Sequence, residues 1–149
     1  MPAIETKALS KYYGDVRGIH EINVCVEQGE FFGFIGPNGS GKSTAIRTLL
    51  GLIKPTTGTA KVLGKTIQLQ QTAILQQIGY MPSEAMFYNG MRVKEILKLS
   101  AKLHGKDCTA EAMALCDRLK LDVQKKVETL SLGNRKKVAI VCALQHRPS

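Results

Sequence analysis

A chain of 149 residues, 44% of them apolar, has the length of one globular domain and enough apolar material to bury a core. Its 21 basic against 12 acidic residues leave a charge of +9. The Lys and Arg are dispersed, with short clusters only at Lys125, Lys126 and residues 135–137 and no aromatic residue between them, which argues against a nucleic-acid partner. Four widely spaced cysteines, Cys25, Cys108, Cys116 and Cys142, offer no disulfide or zinc framework and read as small core residues in a reducing compartment. The three histidines, His20, His104 and His146, are expected to cluster with nothing. The first ten residues lack the apolar stretch of a signal peptide, and the longest apolar run, residues 138–144, is far short of a membrane span.

In chain order, residues 3–9 read as a strand, and the alternating Ile22, Val24 and Val26, with Ile19, as a second. Between them KYYGDVRG reads as a polar loop with two aromatic residues. Residues 31–50, FFGFIGPNGSGKSTAIRTLL, are the organising stretch: an apolar strand at 31–35, a glycine turn at 36–41, then a helix ending near Gly51. This is G-x-x-x-x-G-K-[ST], the phosphate-binding loop, in the strand-to-helix setting that its mechanism needs.

The chemistry of that loop follows from its residue types. Gly36, Gly39 and Gly41 allow positive φ and let consecutive amides approach a polyphosphate, with Pro37, Asn38 and Ser40 completing the cradle. The helix N-terminus adds unpaired amides and the positive end of its dipole. Lys42 is placed to reach the β- and γ-phosphates, Ser43 to ligate Mg²⁺, and Thr44 to donate toward the α-phosphate. Tyr13, upstream, is a candidate for stacking on the nucleotide base, although tyrosines in such loops usually serve as half-buried packing.

Further along, residues 59–63 read as a short strand, 70–77 as a short helix and 78–81 as a short buried strand. Residues 82–90, PSEAMFYNG, form an irregular loop. Val93, Ile96, Leu97, Leu99 and Leu103 recur at helical spacing over residues 92–104, and Gly105 supplies the stop. Thr109 is expected to cap a helix with Ala112, Met113, Leu115, Cys116 and Leu119 on its inner face. A last helix covers residues 138–144, and Arg147-Pro148 ends it.

The phosphate loop, together with Leu130-Ser131-Leu132-Gly133-Asn134 opening a helix that begins Arg135-Lys136-Lys137, resembles the nucleotide-binding subunit of ATP-binding-cassette (ABC) transporters. Its second motif is similar to that family's signature, LSGGQ, and Tyr13-Gly14 stands where the family places its adenine-stacking aromatic. The resemblance covers essentially the whole chain. The stretch IGYMPSEAMFYNGMRVKEIL and a signature ending in G-N resemble the branch that exports peptide antibiotics and drugs. What this implies is an α/β P-loop NTPase fold of ABC type, with an antiparallel β subdomain and a helical subdomain, lacking the later core strands. Residues 1–81 then form the phosphate-loop core, 82–90 a connecting loop, and 91–149 the helical subdomain with the signature.

The resemblance also implies ATP and Mg²⁺ as cofactors and a second nucleotide-binding domain as partner. ATP is trapped between one phosphate loop and the other chain's Ser131, Gly133 and Asn134. A membrane-spanning subunit docks near residues 82–90, and the protein is cytoplasmic, peripheral on the inner face of the cell membrane. Three departures qualify this. Leu132 replaces the first signature glycine, removing conformational freedom and weakening function. Ser83 stands where the family has a Mg²⁺-touching Gln, with Glu84 able to substitute only through a water or a shifted loop. The family's catalytic Glu and switch His come after the signature helix, where residues up to 149 hold no carboxylate. No catalytic residue is therefore assigned, and residues 1–149 alone are expected to bind nucleotide weakly without turnover. Other readings are an ATP-binding regulatory remnant, a cassette working on DNA or ribosomes, for which only the charge speaks, and a small phosphotransferase. The last needs an Arg-rich lid, and SLGNRKK has one Arg.

Overall fold

The computed structural model describes residues 1–149, which form two compact units, Met1–Leu75 and Gln76–Ser149. The first is built on an antiparallel sheet. Strand β1 (Ile4–Tyr13) pairs with β2 (Val16–Ile22), β3 (Cys25–Val26) and β4 (Thr57–Val62), and β4 pairs with β5 (Lys65–Thr66). The segment read as a loop from composition, KYYGDVRG, is instead a two-residue hairpin with Tyr13 opposite Val16. Gly14, at φ 59, takes the positive φ that tight hairpins need, so the polar residues flank a turn and do not interrupt the sheet.

A bulge divides β1 in two. Ala8 has φ 46, its amide donates to Asn23 Oδ1, and the register with both neighbours shifts beside it. The sheet tolerates this because Gly58 on β4, at φ 80, has no side chain: a Cβ there would lie 2.2 Å from the Ala8 carbonyl oxygen. Helix α1 (Lys42–Leu49) buries Ala45 and Thr48, and α2 (Gln71–Leu75) buries Ile74. Leu9, Ile19, Val26, Ala60 and Val62 supply the sheet's share of the buried side chains, with Ile67 just after β5.

Two expected strands do not form. Residues 31–35 and 78–81 are outside regular structure, and Phe31 and Ile35 are 102% and 98% exposed. A strand exists by pairing with another, and no strand among the described residues runs alongside either segment; their β-prone composition alone does not hold them. Phe31 and Ile35 therefore leave apolar surface uncovered.

In the second unit α3 (Val93–Leu103) and α4 (Thr109–Leu119) pack against α5 (Leu132–Leu144), with a 3-10 turn at Val127–Thr129 leading into α5. Val93, Ile96, Leu97, Cys116, Val138 and Val141 form the centre of its core. Thr109 is the first residue of α4 and not its cap. The Asp107 carboxylate does the capping work, accepting from the Thr109 amide at 3.0 Å and its hydroxyl at 2.7 Å. Of the expected inner face, Ala112 and Cys116 are buried and Leu115 and Leu119 pack on the core, while Met113 is 42% exposed. Cys25 is also exposed, unlike the buried Cys108 and Cys116, because it sits at the edge of the sheet on the two-residue β3. No helix is long and apolar enough to cross a membrane.

His104 and His146 do come together, against expectation: their rings stack 3.8 Å apart and 8° from parallel. The end of α3 and the end of α5 bring side chains 42 positions apart into contact, which no local spacing signals. His146 is buried, and its Nε2 lies 3.0 Å from the Ile78 carbonyl oxygen. No group of three or more His, Cys, Asp or Glu is arranged to hold a metal ion.

Candidate functional site

The glycine turn runs directly into α1. Gly39 and Gly41 adopt φ 82 and 94, and Gly41 is the N-cap of the helix. Gly36 does not take positive φ; it is needed for space, since a Cβ there would lie 2.8 Å from Ser40 Oγ. Gly41 is needed for both reasons, because its Cβ would come within 2.3 Å of the Gly18 carbonyl oxygen on β2. Pro37 to Ser40 close as a turn, with the Ser40 amide donating to the Pro37 carbonyl at 3.2 Å; Asn38 lies at its exposed tip.

The first intrahelical bond is from the Ala45 amide to the Gly41 carbonyl, so the amides of Gly41, Lys42, Ser43 and Thr44 precede the helical ladder. No acidic residue stands in the first turn to use them. Lys42 curls back over the loop: its ammonium donates to the carbonyls of Gly36 and Pro37, both at 2.7 Å, and lies 3.3 Å from Ser40 Oγ. The cation is thereby held against two loop carbonyls, next to a helix start whose first amides precede the ladder. Ser43, the next residue, is exposed.

The hairpin brings Tyr13 to the same region. A Cβ built on Gly18 would lie 3.0 Å from Tyr13 Cε2 on one side and 3.2 Å from Thr44 Cγ2 on the other. Glycine at 18 thus lets the tyrosine ring and the helix start approach each other across β2. The ring is 47% exposed, with Lys11 Nζ 5.1 Å from its centroid.

In the second unit Ser131 is the N-cap of α5, its Oγ accepting from the Asn134 amide at 3.3 Å. Leu132 is the first helical residue, 73% exposed, and outside the positive-φ region, so the conformational freedom expected of a glycine there is not used. Gly133 is exposed, with nothing within 4 Å of a Cβ built on it. Behind this turn, Glu128 accepts from the Gly90 amide at 3.0 Å, and its own carbonyl accepts from Arg135 Nη2 at 3.0 Å. The Gly90 amide, followed by the amide of Glu128 itself, holds this carboxyl below its ordinary value. The loop at 82–90 is thus fastened at its end to the signature turn; sequence reading missed Glu128, since neither spacing nor motif marks it. Ser83 and Glu84 are both exposed, and neither is joined to another candidate residue.

A lysine bonded to the carbonyls of a glycine turn at a helix start, after G-x-x-x-x-G, has the arrangement of a phosphate loop. The sequence profile described as ABC transporter matches residues 19–149. The chain belongs to the ABC transporter family. It is 36% identical over 148 residues to the bacitracin transport ATP-binding protein of Bacillus licheniformis, covering 97% of this chain and 48% of that protein. It is 33% identical over 150 residues to a probable multidrug ABC transporter ATP-binding protein of Escherichia coli, covering 97% of this chain and 26% of that protein. The chain therefore spans about half, or less, of the length of these relatives. Among solved structures, one described as the ATP binding subunit of an ABC transporter superposes with a TM-score of 0.86 at 30% identity, over 98% of this chain and 63% of that one. A putative ABC transporter ATP-binding protein from Pyrococcus furiosus gives 0.82 at 30% identity, over 95% and 70%.

Proposed function

We propose that the chain forms the front part of the ATP-binding subunit of an ABC-type exporter, and that residues 36–44 hold the ATP phosphates. The observation that carries this is the Lys42 ammonium bonded to the Gly36 and Pro37 carbonyls of the glycine turn, at the start of a helix whose first turn holds no acidic side chain. On binding, Lys42 exchanges two loop carbonyls for the β- and γ-phosphate oxygens, a trade of neutral for charged acceptors that favours the nucleotide. Tyr13 stacks on the base, and Thr44 donates toward the α-phosphate. The Ser43 hydroxyl holds Mg²⁺, which neutralises charge on the β- and γ-phosphates when bound, and Ser83, or Glu84 through a water, is the further candidate ligand.

Ser131, the Gly133 amide and Asn134 serve the ATP held by a second nucleotide-binding domain, so that ATP joins two such domains head to tail. The Leu132 and Gly133 amides, ahead of the first helical bond of α5, suit a phosphate as those of α1 do, while the Asn134 amide is taken by Ser131 Oγ. The membrane-spanning partner docks at residues 82–90, whose attachment to the signature turn through Glu128 provides a mechanical link. That places the protein on the cytoplasmic face of the membrane. Export is favoured over import by likeness to relatives named for bacitracin and multidrug transport.

Within residues 1–149 no carboxylate is assigned as the base for water attack, so this portion binds ATP without turnover. Titration with a fluorescent ATP analogue tests the reading. Lys42→Ala is expected to weaken binding by about ten- to a hundredfold, the loss of charged hydrogen bonds of about 1.5–3 kcal/mol. Unchanged affinity, or steady phosphate release by residues 1–149 that Lys42→Ala abolishes, contradicts it.

A further inference from the structure

A strip of hydrogen bonds ties the exit of the loop at 82–90 to the run of chain that leads into Ser131. The Val127 amide donates to the Met91 carbonyl, that of Val93 to Lys125 and that of Lys94 to Val123, each at 3.0 Å. The Arg92 guanidinium adds a bond to the Gln124 carbonyl at 2.9 Å. Backbone groups paired in this way hold residues 91–94 and 123–127 together. One step further, at Gly90, the strip changes character: its acceptor is no longer a backbone carbonyl but the Glu128 carboxylate, at 3.0 Å. An ionised acceptor makes the stronger kind of hydrogen bond.

Glu128 is gripped from the other side as well. Arg135 donates from Nη2 to the Glu128 carbonyl at 3.0 Å, and its own amide donates to the Ser131 carbonyl at 2.9 Å, the first bond of α5. One residue of the helix thus holds both the residue that fastens the loop and the cap of the signature.

The two ends of this fastening differ in firmness. On either side of Glu128 and Thr129, the side chains of Val127 and Leu130 are buried in the core, so the turn keeps its place whatever stands at 128. Glu128 itself is exposed, and its replacement opens no cavity. The loop at 82–90 has neither helix nor strand, and Met86 and Tyr88 on it are exposed; Phe87 packs on the core and the Gly90 amide on Glu128.

We infer that Glu128 is a positioning residue: its carboxylate makes the end of the loop at 82–90 and the signature Ser131 one moving part. When Ser131 engages ATP held by a second molecule, the loop loses motion with it. This rests on the head-to-tail pairing proposed above.

Hydrogen exchange of the intact protein, read by mass spectrometry with and without ATP and Mg²⁺, follows both ends at once. In the unaltered protein ATP is expected to slow exchange in residues 131–134 and in residues 86–90 together. In Glu128→Ala the slowing at 131–134 is expected to persist, and that at 86–90 to fall about tenfold, the effect of one hydrogen bond to a charged group. Glu128→Gln, whose amide oxygen can still accept from Gly90, is expected to restore it, a rescue that loss of charge alone does not permit. Undiminished slowing of 86–90 in Glu128→Ala overturns the proposal, as does a Glu128→Gln variant that behaves like Glu128→Ala. A loop that exchanges as fast with ATP as without it, in unaltered protein whose signature is slowed, overturns it too. Absence of slowing at 131–134 in the unaltered protein is a different failure, since it removes the pairing itself.

Discussion

Lys42 and His104 show how differently two single residues reveal themselves. The proposed role of Lys42 is legible in its neighbours, because a lysine after G-x-x-x-x-G points to a phosphate loop, and in the structure its ammonium lies against the carbonyls of that loop. His104 has no such context. Its partner is 42 positions away, and only the packing of α3 on α5 brings the two rings together. Burial, then His146, then Lys106 hold the His104 imidazole below its ordinary value of 6.5. With the folded value depressed, the unfolded chain takes up the proton first as pH falls. The contribution is whole above 6.5 and is lost on going down through the depressed folded value. Stability from urea titrations is expected to decline from pH 7 toward pH 5, and His104→Phe, which keeps a ring against His146, to flatten that decline. An unchanged slope removes His104 as its source.

At the scale of elements, the sheet and helices divide by how local their determinants are. Helices α3, α4 and α5 were legible because apolar side chains recur at their own period, and α3 and α5 also because Gly105 and Arg147-Pro148 mark their ends. The hairpin at Gly14 was hidden by the polar composition of its flanks. Residues 31–35 and 78–81 misled in the opposite sense: their composition is that of strands, and pairing, which sequence does not supply, decides. The Ala8 bulge is the least legible element, since it depends on a glycine fifty positions later. Gly58→Ala tests that dependence. A Cβ 2.2 Å from the Ala8 carbonyl, on a residue at φ 80, is expected to destabilise the protein by more than about 1–2 kcal/mol in denaturant titration. A loss below about 0.5 kcal/mol shows that the bulge is not locked by this approach.

For the whole molecule, membership of the ABC transporter family was legible from two short motifs, and superposition on solved ATP-binding subunits agrees over nearly the whole chain. The motifs lie in separate compact units, the phosphate loop in Met1–Leu75 and the signature in Gln76–Ser149. Each presents a helix N-terminus with exposed groups, and the proposed function joins one from each of two molecules around a single ATP.

Mixing two defective variants tests that pairing most directly. Lys42→Ala disables the phosphate loop and Ser131→Ala the signature, so neither variant alone can build an intact composite site. A mixed pair contains one, formed by Lys42 of one molecule and Ser131 of the other. Sedimentation of the intact protein with ATP and Mg²⁺ is expected to show monomers for each variant alone. The equimolar mixture is expected to show dimers holding about one tightly bound nucleotide each, as that geometry requires. Association of the Ser131→Ala variant by itself, or a mixture that stays monomeric while the unaltered protein dimerises, contradicts the head-to-tail account.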